Sequence, residues 1–191
     1  MRLASASSAA LIAATPVAAQ VPPSAYVVLP LRSEIANTER VGPKKTGVFC
    51  GPAGSVTWAE AAPEPLSTAR DVAAALSAAG LPARELDQLG ETVPAMSSRL
   101  AVTVMAARIE ACVPSRGMFR LAGGRRKLKA EGFLTLRWRV AAEPGRAAWV
   151  REVTQALAPA DPTNDLPSLV RTTIVASALL VAAELNGLAT P

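Results

Sequence analysis

Between Lys127 and Val140 the chain alternates with a period of two, and this segment limits the available folds more than any other. Leu128, Ala130, Leu134, Leu136, Trp138 and Val140 fall on one side. Lys127, Lys129, Glu131, Thr135, Arg137 and Arg139 fall on the other. Side chains of a strand point alternately to opposite faces, so this pattern predicts a half-buried antiparallel strand with one face in the core and one in water. A sheet containing it needs a covering layer on the apolar side.

The neighbouring segments supply both sheet and cover. Leu100 to Val113 is apolar on both faces before Arg108 and Glu110 enter, as a central strand looks when one end emerges into water. Glu143-Pro144-Gly145-Arg146 reads as a type II turn, leading into a strand from Ala147 to Leu157 with Trp149, Val153 and Leu157 inward. Tyr26 to Leu31 is a short strand, with Pro30 suggesting an edge or a strand end. Ser33 to Gly54 reads as a long loop with a short strand at Gly47 to Cys50, followed by another at Val56 to Trp58. A helix is expected from Pro65 to Gly80, capped by Ser67 or Thr68 and carrying the stripe Val72, Ala75, Leu76, Ala79. A second runs from Leu166 to Asn186 and stops at Gly187. Its stretch from Thr172 to Ala183 holds no charge, too short a run to span a bilayer and suited to burial against the sheet. Together these predict an α+β two-layer sandwich over residues 25–188. Its sheet is mostly antiparallel, with about four to five strands and two helices on one face.

The first nineteen residues read as a secretory leader. Arg2 begins it, Leu3 to Thr15 is small and apolar, and Val17-Ala18-Ala19 offers a cleavage site before Gln20. Residues 20–24 form a Pro-rich extended lead-in. The expected location is the periplasm, without a lipid anchor, because no cysteine lies near the cleavage point. No transmembrane span is expected in the mature chain. An exported chain with two cysteines, Cys50 and Cys112, favours one structural disulfide, and there is no C-x-x-C to suggest redox catalysis. The net charge of +5 is modest, and export makes nucleic acid an unsuitable partner.

The chain has no histidine, which removes the commonest general base and metal ligand. Gly51-Pro52-Ala53-Gly54 and Gly123-Gly124-Arg125 lack the spacing of phosphate-binding loops. The carboxylate pairs Glu60 with Glu64, Glu85 with Asp87, Glu131 with Glu152 and Asp161 with Asp165 are ordinary surface groups in this reading. No catalytic residue, metal or cofactor is expected, and the chain is read as a non-enzyme.

The distinctive cluster is basic. Arg116, Arg120, Arg125, Arg126 and Lys127 crowd one connection around an apolar tip, Met118-Phe119, and Lys129, Arg137 and Arg139 continue along the polar strand face. Such a stripe attracts lipid phosphates, acidic glycan or an acidic protein face. The competing reading is a solvated face whose edge cations discourage aggregation.

The order of elements carries a family resemblance. An early strand (Tyr26 to Leu31) leads to a Val41-Gly42 pair, then to a helix ending in Leu76-Ser77-Ala78-Ala79-Gly80. A strand pair joined by a Pro-Gly turn and an Ala/Leu-rich closing helix follow. This resembles the periplasmic domains of the YajG-type lipoproteins, the curli-secretion lipoprotein and the TolB amino-terminal domain. Many of those are anchored through a cysteine just after the leader, which this chain lacks, so anchoring and pore formation do not carry over. The resemblance implies a non-catalytic accessory subunit of an envelope export, transport or assembly system, with envelope proteins as partners. The alternative is a binding module for an anionic phospholipid, lipopolysaccharide or acidic polysaccharide.

Overall fold

The computed structural model describes residues 26–47, 49–86, 97–113, 128–141, 149–158 and 165–189. The expected leader (1–19), the expected lead-in (20–24) and the expected Pro-Gly turn (143–146) lie outside them. A long strand, β6 (Ser98–Val113), forms the spine of the sheet. On one side it pairs antiparallel with β7 (Lys129–Ala141), from Arg99 opposite Ala141 to Cys112 opposite Lys129. β7 in turn pairs antiparallel with β8 (Trp149–Ala156), but only over Phe133 to Val140.

The other side of β6 is shared by three short segments laid end to end, all parallel to it. β1 (Tyr26–Val28) meets Ser98 to Leu100, β2 (Arg32–Ser33) meets Thr103 and Val104, and β3 (Arg40–Thr46) contributes Lys44 to Thr46 beside Ala111 to Val113. Outside these lie β5 (Ala83–Glu85), parallel to β1, and β4 (Gly51–Thr57), antiparallel to β3. The strand order is therefore β5-β1-β6-β7-β8 at one end and β4-β3-β6-β7 at the other.

Three expectations are adjusted. The sheet is mixed: antiparallel pairs predominate, as expected, but the amino-terminal half of the chain tracks along β6 in the same direction and adds parallel ones. Among the described residues the sheet has eight strand segments, but no cross-section is wider than five, so the expected four to five strands describe its width and not its number of segments. The expected loop from Ser33 to Gly54 is largely a hairpin of β3 and β4, and Gly47, Phe49 and Cys50 lie in a turn rather than a strand. Pro43 fits inside β3 because its pairing with β6 begins only at Lys44, where the backbone N–H is first required. At Gly42 a Cβ would lie 2.1 Å from the Ile109 carbonyl oxygen, so this close approach admits only glycine.

Three helices cover one face. α1 (Trp58–Ala61) is a single turn beginning where a strand end was expected, closed by a capping box between Thr57 and Glu60. α2 (Pro65–Ala78) is capped by Glu64, whose carboxylate accepts from the Leu66 and Ser67 N–H groups; neither Ser67 nor Thr68 is the cap. α3 (Leu166–Ala189) passes through Gly187 instead of stopping there. It starts beneath Asp165, which accepts from the Ser168 N–H.

The core lies between the helices and the inward face of the sheet. Leu100, Val102, Val104, Ile109, Leu134, Leu136 and Trp138 meet Val72, Leu76, Val170, Ile174, Ala178 and Val181. The bulge near Met105 keeps both halves of β6 in phase with this core: Leu100, Val102 and Val104 point inward before it, and Ile109 and Ala111 after it. Buried hydroxyls on α3 are satisfied locally, Thr173 donating to the Leu169 carbonyl and Ser177 to that of Ile174. By length and composition α3 could cross a bilayer, yet half of that stretch is buried within this fold.

Candidate functional site

With all three helices on one side, the opposite face of β6, β7 and β8 carries no covering element among the described residues. Its residues follow from the pleat. Arg99, Ala101, Thr103, Arg108 and Glu110 come from β6. Lys129, Glu131, Phe133, Thr135, Arg137 and Arg139 come from β7, with Val150, Glu152, Thr154 and Ala156 from β8. Lys129, Arg137 and Arg139 therefore do share one water-exposed face, as the alternation predicts. They do not form one stripe: Lys129 and Arg137 are eight residues apart along β7, roughly 27 Å at strand rise. Arg116, Met118, Phe119, Arg120, Arg125, Arg126 and Lys127 lie outside the described residues.

The face divides into three zones. At the β3–β4 end, Cys50 and Cys112 form the expected disulfide, with Cα atoms 5.5 Å apart. Beside it Glu110 and Glu131 sit directly opposite each other, and Lys45 holds Glu110 in an ion pair. These residues, with Lys129 and Ala130, line an open hollow of about 220 Å³. In the middle, Arg137 bridges two carboxylates, Glu152 at 2.8 Å and Glu34 at 3.3 Å. At the β1 end the face carries the exposed Arg32, Arg99 and Arg139, with a fully buried Val27 beside Arg99 and the half-buried Arg84 beyond it. None of the three exposed arginines makes an ion pair among the described residues.

Arg32, Arg99 and Glu34 were not singled out by the sequence, and Glu152 only as a carboxylate paired with Glu131. Arg32 joins the face only through its pairing with Thr103, seventy-one positions away, for which no local pattern gives a signal. Arg99 continues the alternation of β6 one residue before its apolar run begins, and that alternation is the signal by which it could have been found.

The carboxylate pairs are dispersed into capping and ion pairs. Glu60 takes Lys44 at 2.7 Å and closes α1, Glu64 caps α2, Glu85 takes Arg70 at 2.9 Å, and Asp165 caps α3. Glu131 opposes Glu110, not Glu152, so that pair is separated. Asp87 and Asp161 lie outside the described residues. The three carboxyls at helix starts are held below their ordinary values. For Glu60 the main cause is the Lys44 ammonium, for Glu64 the Ser67 N–H, and for Asp165 the Ser168 side chain. Among the described residues no three potential metal ligands come together.

The helix layer has its own exposed feature. α3 turns Thr172, Leu179, Leu180 and Ala183 outward, and Leu179 and Leu180 are each more than half exposed. The charge-free run is thus only partly explained by burial, since a helix on a surface ordinarily carries charge on its outer side. Ion pairs bound this ridge: Arg171 with Asp71 at 3.4 Å, and Glu184 with Arg151 at 3.2 Å.

No family model matches the chain, and no curated protein matches it. Among solved structures it is similar to an uncharacterised protein at 13% identity, with a TM-score of 0.43 over 85% of this chain and 89% of that one. It is also similar to a PelC variant dodecamer from Paraburkholderia phytofirmans at 14% identity, with a TM-score of 0.36 over 82% of this chain and 86% of that one.

Proposed function

We propose that this protein is a non-catalytic accessory subunit of an envelope export, transport or assembly system, acting in the periplasm by binding another envelope protein. The observation that carries this reading is the outer ridge of α3, where Leu179 and Leu180 stand in water along a helix with no charge from Thr172 to Ala183. Contiguous exposed apolar surface rimmed by charge is the usual mark of a docking site. Its rim here is Asp71–Arg171 at one end and Arg151–Glu184 at the other. A disulfide is chemistry for an oxidising compartment, and it supports the periplasmic location. The element order supports the likeness to the YajG-type and TolB amino-terminal domains.

The test is crosslinking in intact cells of the native host. The native chain should give a discrete adduct of reproducible mass, and Leu179→Glu with Leu180→Lys should abolish it without altering the thermal midpoint. An adduct that persists in the double variant refutes docking through α3.

A second reading has its own observation. The sheet face opposite the helices carries arginines with no carboxylate partner among the described residues, which favours binding of an anionic lipid or glycan through that face. Such binding falls with salt, because the screening length drops from about 10 Å at 0.1 M to about 3 Å at 1 M.

A further inference from the structure

We propose that Arg32, Arg99 and Arg139 form one binding site for a phosphate group at the β1 end of the face opposite the helices. This inference rests on the second reading above and gives it a location and a ligand chemistry.

The strand registers place the three residues. Arg139 of β7 lies opposite Ala101 of β6, and Arg99 lies two residues from Ala101 on the same face. Arg99 and Arg139 are therefore diagonal neighbours, ~7–8 Å apart or closer at Cβ. Arg32 enters from the other side of β6, opposite Thr103. Its outward direction is fixed by Glu34, two residues on, which reaches Arg137 on the same face. Strand spacing and rise put Arg32 roughly 12–14 Å from each of the other two at Cα. Extended arginine side chains can converge over that span. The floor between them is Ala101 and Thr103, a methyl group and a hydroxyl, which leaves room above the sheet.

Charge accounting on this corner points to an anion. Among the described residues the carboxylates nearest in register, Glu34 and Glu152, are both held by Arg137. Arg32, Arg99 and Arg139 are all exposed and make no ion pair among the described residues. Clustered like charges on one sheet face are unfavourable in isolation and are relieved by a shared counter-anion. All three are arginines, whose planar forks match phosphate oxygens in pairs, where lysine offers only a point charge. Their backbones sit on paired strands, so the site is held by the sheet rather than by a loop. The other end of the same face lacks this character, since Lys45 is already paired with Glu110 and Glu131 lies beside Lys129.

The experiment uses the mature oxidised protein at low salt with two probes. Inorganic phosphate is titrated while backbone amide shifts are followed by NMR, and sedimentation is measured with vesicles of phosphatidylcholine alone or with phosphatidylglycerol. The site predicts shifts concentrated at 99–103 and 137–141. It predicts at least a tenfold loss of affinity when Arg32→Gln, Arg99→Gln and Arg139→Gln are combined. Arg40→Gln with Arg70→Gln removes charge elsewhere and should change affinity less than twofold. Vesicle binding lost in the triple variant identifies the phosphate as a lipid headgroup, whereas shifts with phosphate alone identify a soluble phosphate ester. If the native protein binds but the triple variant binds equally, and Lys45→Gln with Lys129→Gln carries the loss, this site is overturned while the face reading stands. If the native protein binds neither probe, both are overturned.

Discussion

Removing the Cys50–Cys112 bridge should be the most costly single covalent change available to this fold. The bridge closes a loop of 62 residues that contains β4, α1, α2, β5 and nearly all of β6. In the chain-entropy account, closing a loop of that length restricts the unfolded chain by about 4 kcal/mol. The native state keeps little to compensate, because β3 meets β6 through only three residue pairs, Lys44–Ala111 to Thr46–Val113. Cys50→Ser with Cys112→Ser should therefore lower the unfolding free energy by about 4 kcal/mol, and the thermal midpoint by about 10–15 °C at this chain length. The denaturant slope should rise, since an unbridged chain exposes more surface when it unfolds. Guanidinium titrations of the oxidised native protein and the double variant, followed by tryptophan fluorescence and by circular dichroism, measure both quantities. Free energies within about 1 kcal/mol of each other, with equal slopes, would refute the reasoning.

Gly132→Ala should unfold or severely destabilise the protein, because a Cβ there would lie 1.8 Å from the Arg108 carbonyl oxygen at a φ of +144°; a thermal scan reads this directly. Trp138 is fully buried and its indole N–H has no acceptor among the described residues, so Trp138→Phe should cost under about 1 kcal/mol by removing that orphan, against about 3–5 kcal/mol for Trp138→Ala. Chemical denaturation of the two variants separates these values. Stability should be flat from about pH 5 to 8, because no histidine titrates there. Glu60, Glu64 and Asp165 are depressed in the folded state, so their contribution is complete above the unfolded values near ~4 and is lost as pH falls through the folded ones. Midpoints measured from pH 2 to 8 should decline only on the acid side, and Glu64→Gln should make that decline shallower.

The parts of this fold legible in the sequence are those whose physics is local. β7 declares both its faces by alternation, and α2 declares its apolar stripe, because each pattern is complete within one element. The disulfide follows from cysteine count and compartment. The β3–β4 hairpin is hidden because Gly42, Pro43, Gly51 and Pro52 read as loop punctuation. They are tolerated because β4 is an edge strand and β3 joins β6 only after Pro43. Glu64 was missed as a cap because the usual short polar caps lie three and four residues further on, inside the first turn of α2. The outward half of α3 could not be read at all: an uncharged run looks the same whether its second face meets the sheet or water. Arg32 joins the arginine corner only because β2 lies parallel to β6, a long-range register, so the sequence shows Arg139 of that corner and leaves Arg32 hidden.

The claim that this is a binding protein docking through its helix layer is tested most directly by a photo-crosslinker walked through positions 172, 176, 179, 183, 154 and 135 in living cells. Partner adducts should appear at 172, 176, 179 and 183, which lie along the outer ridge of α3, and be absent at 154 and 135 on the open sheet face. Adducts confined to the sheet positions, or none at any position, would contradict it.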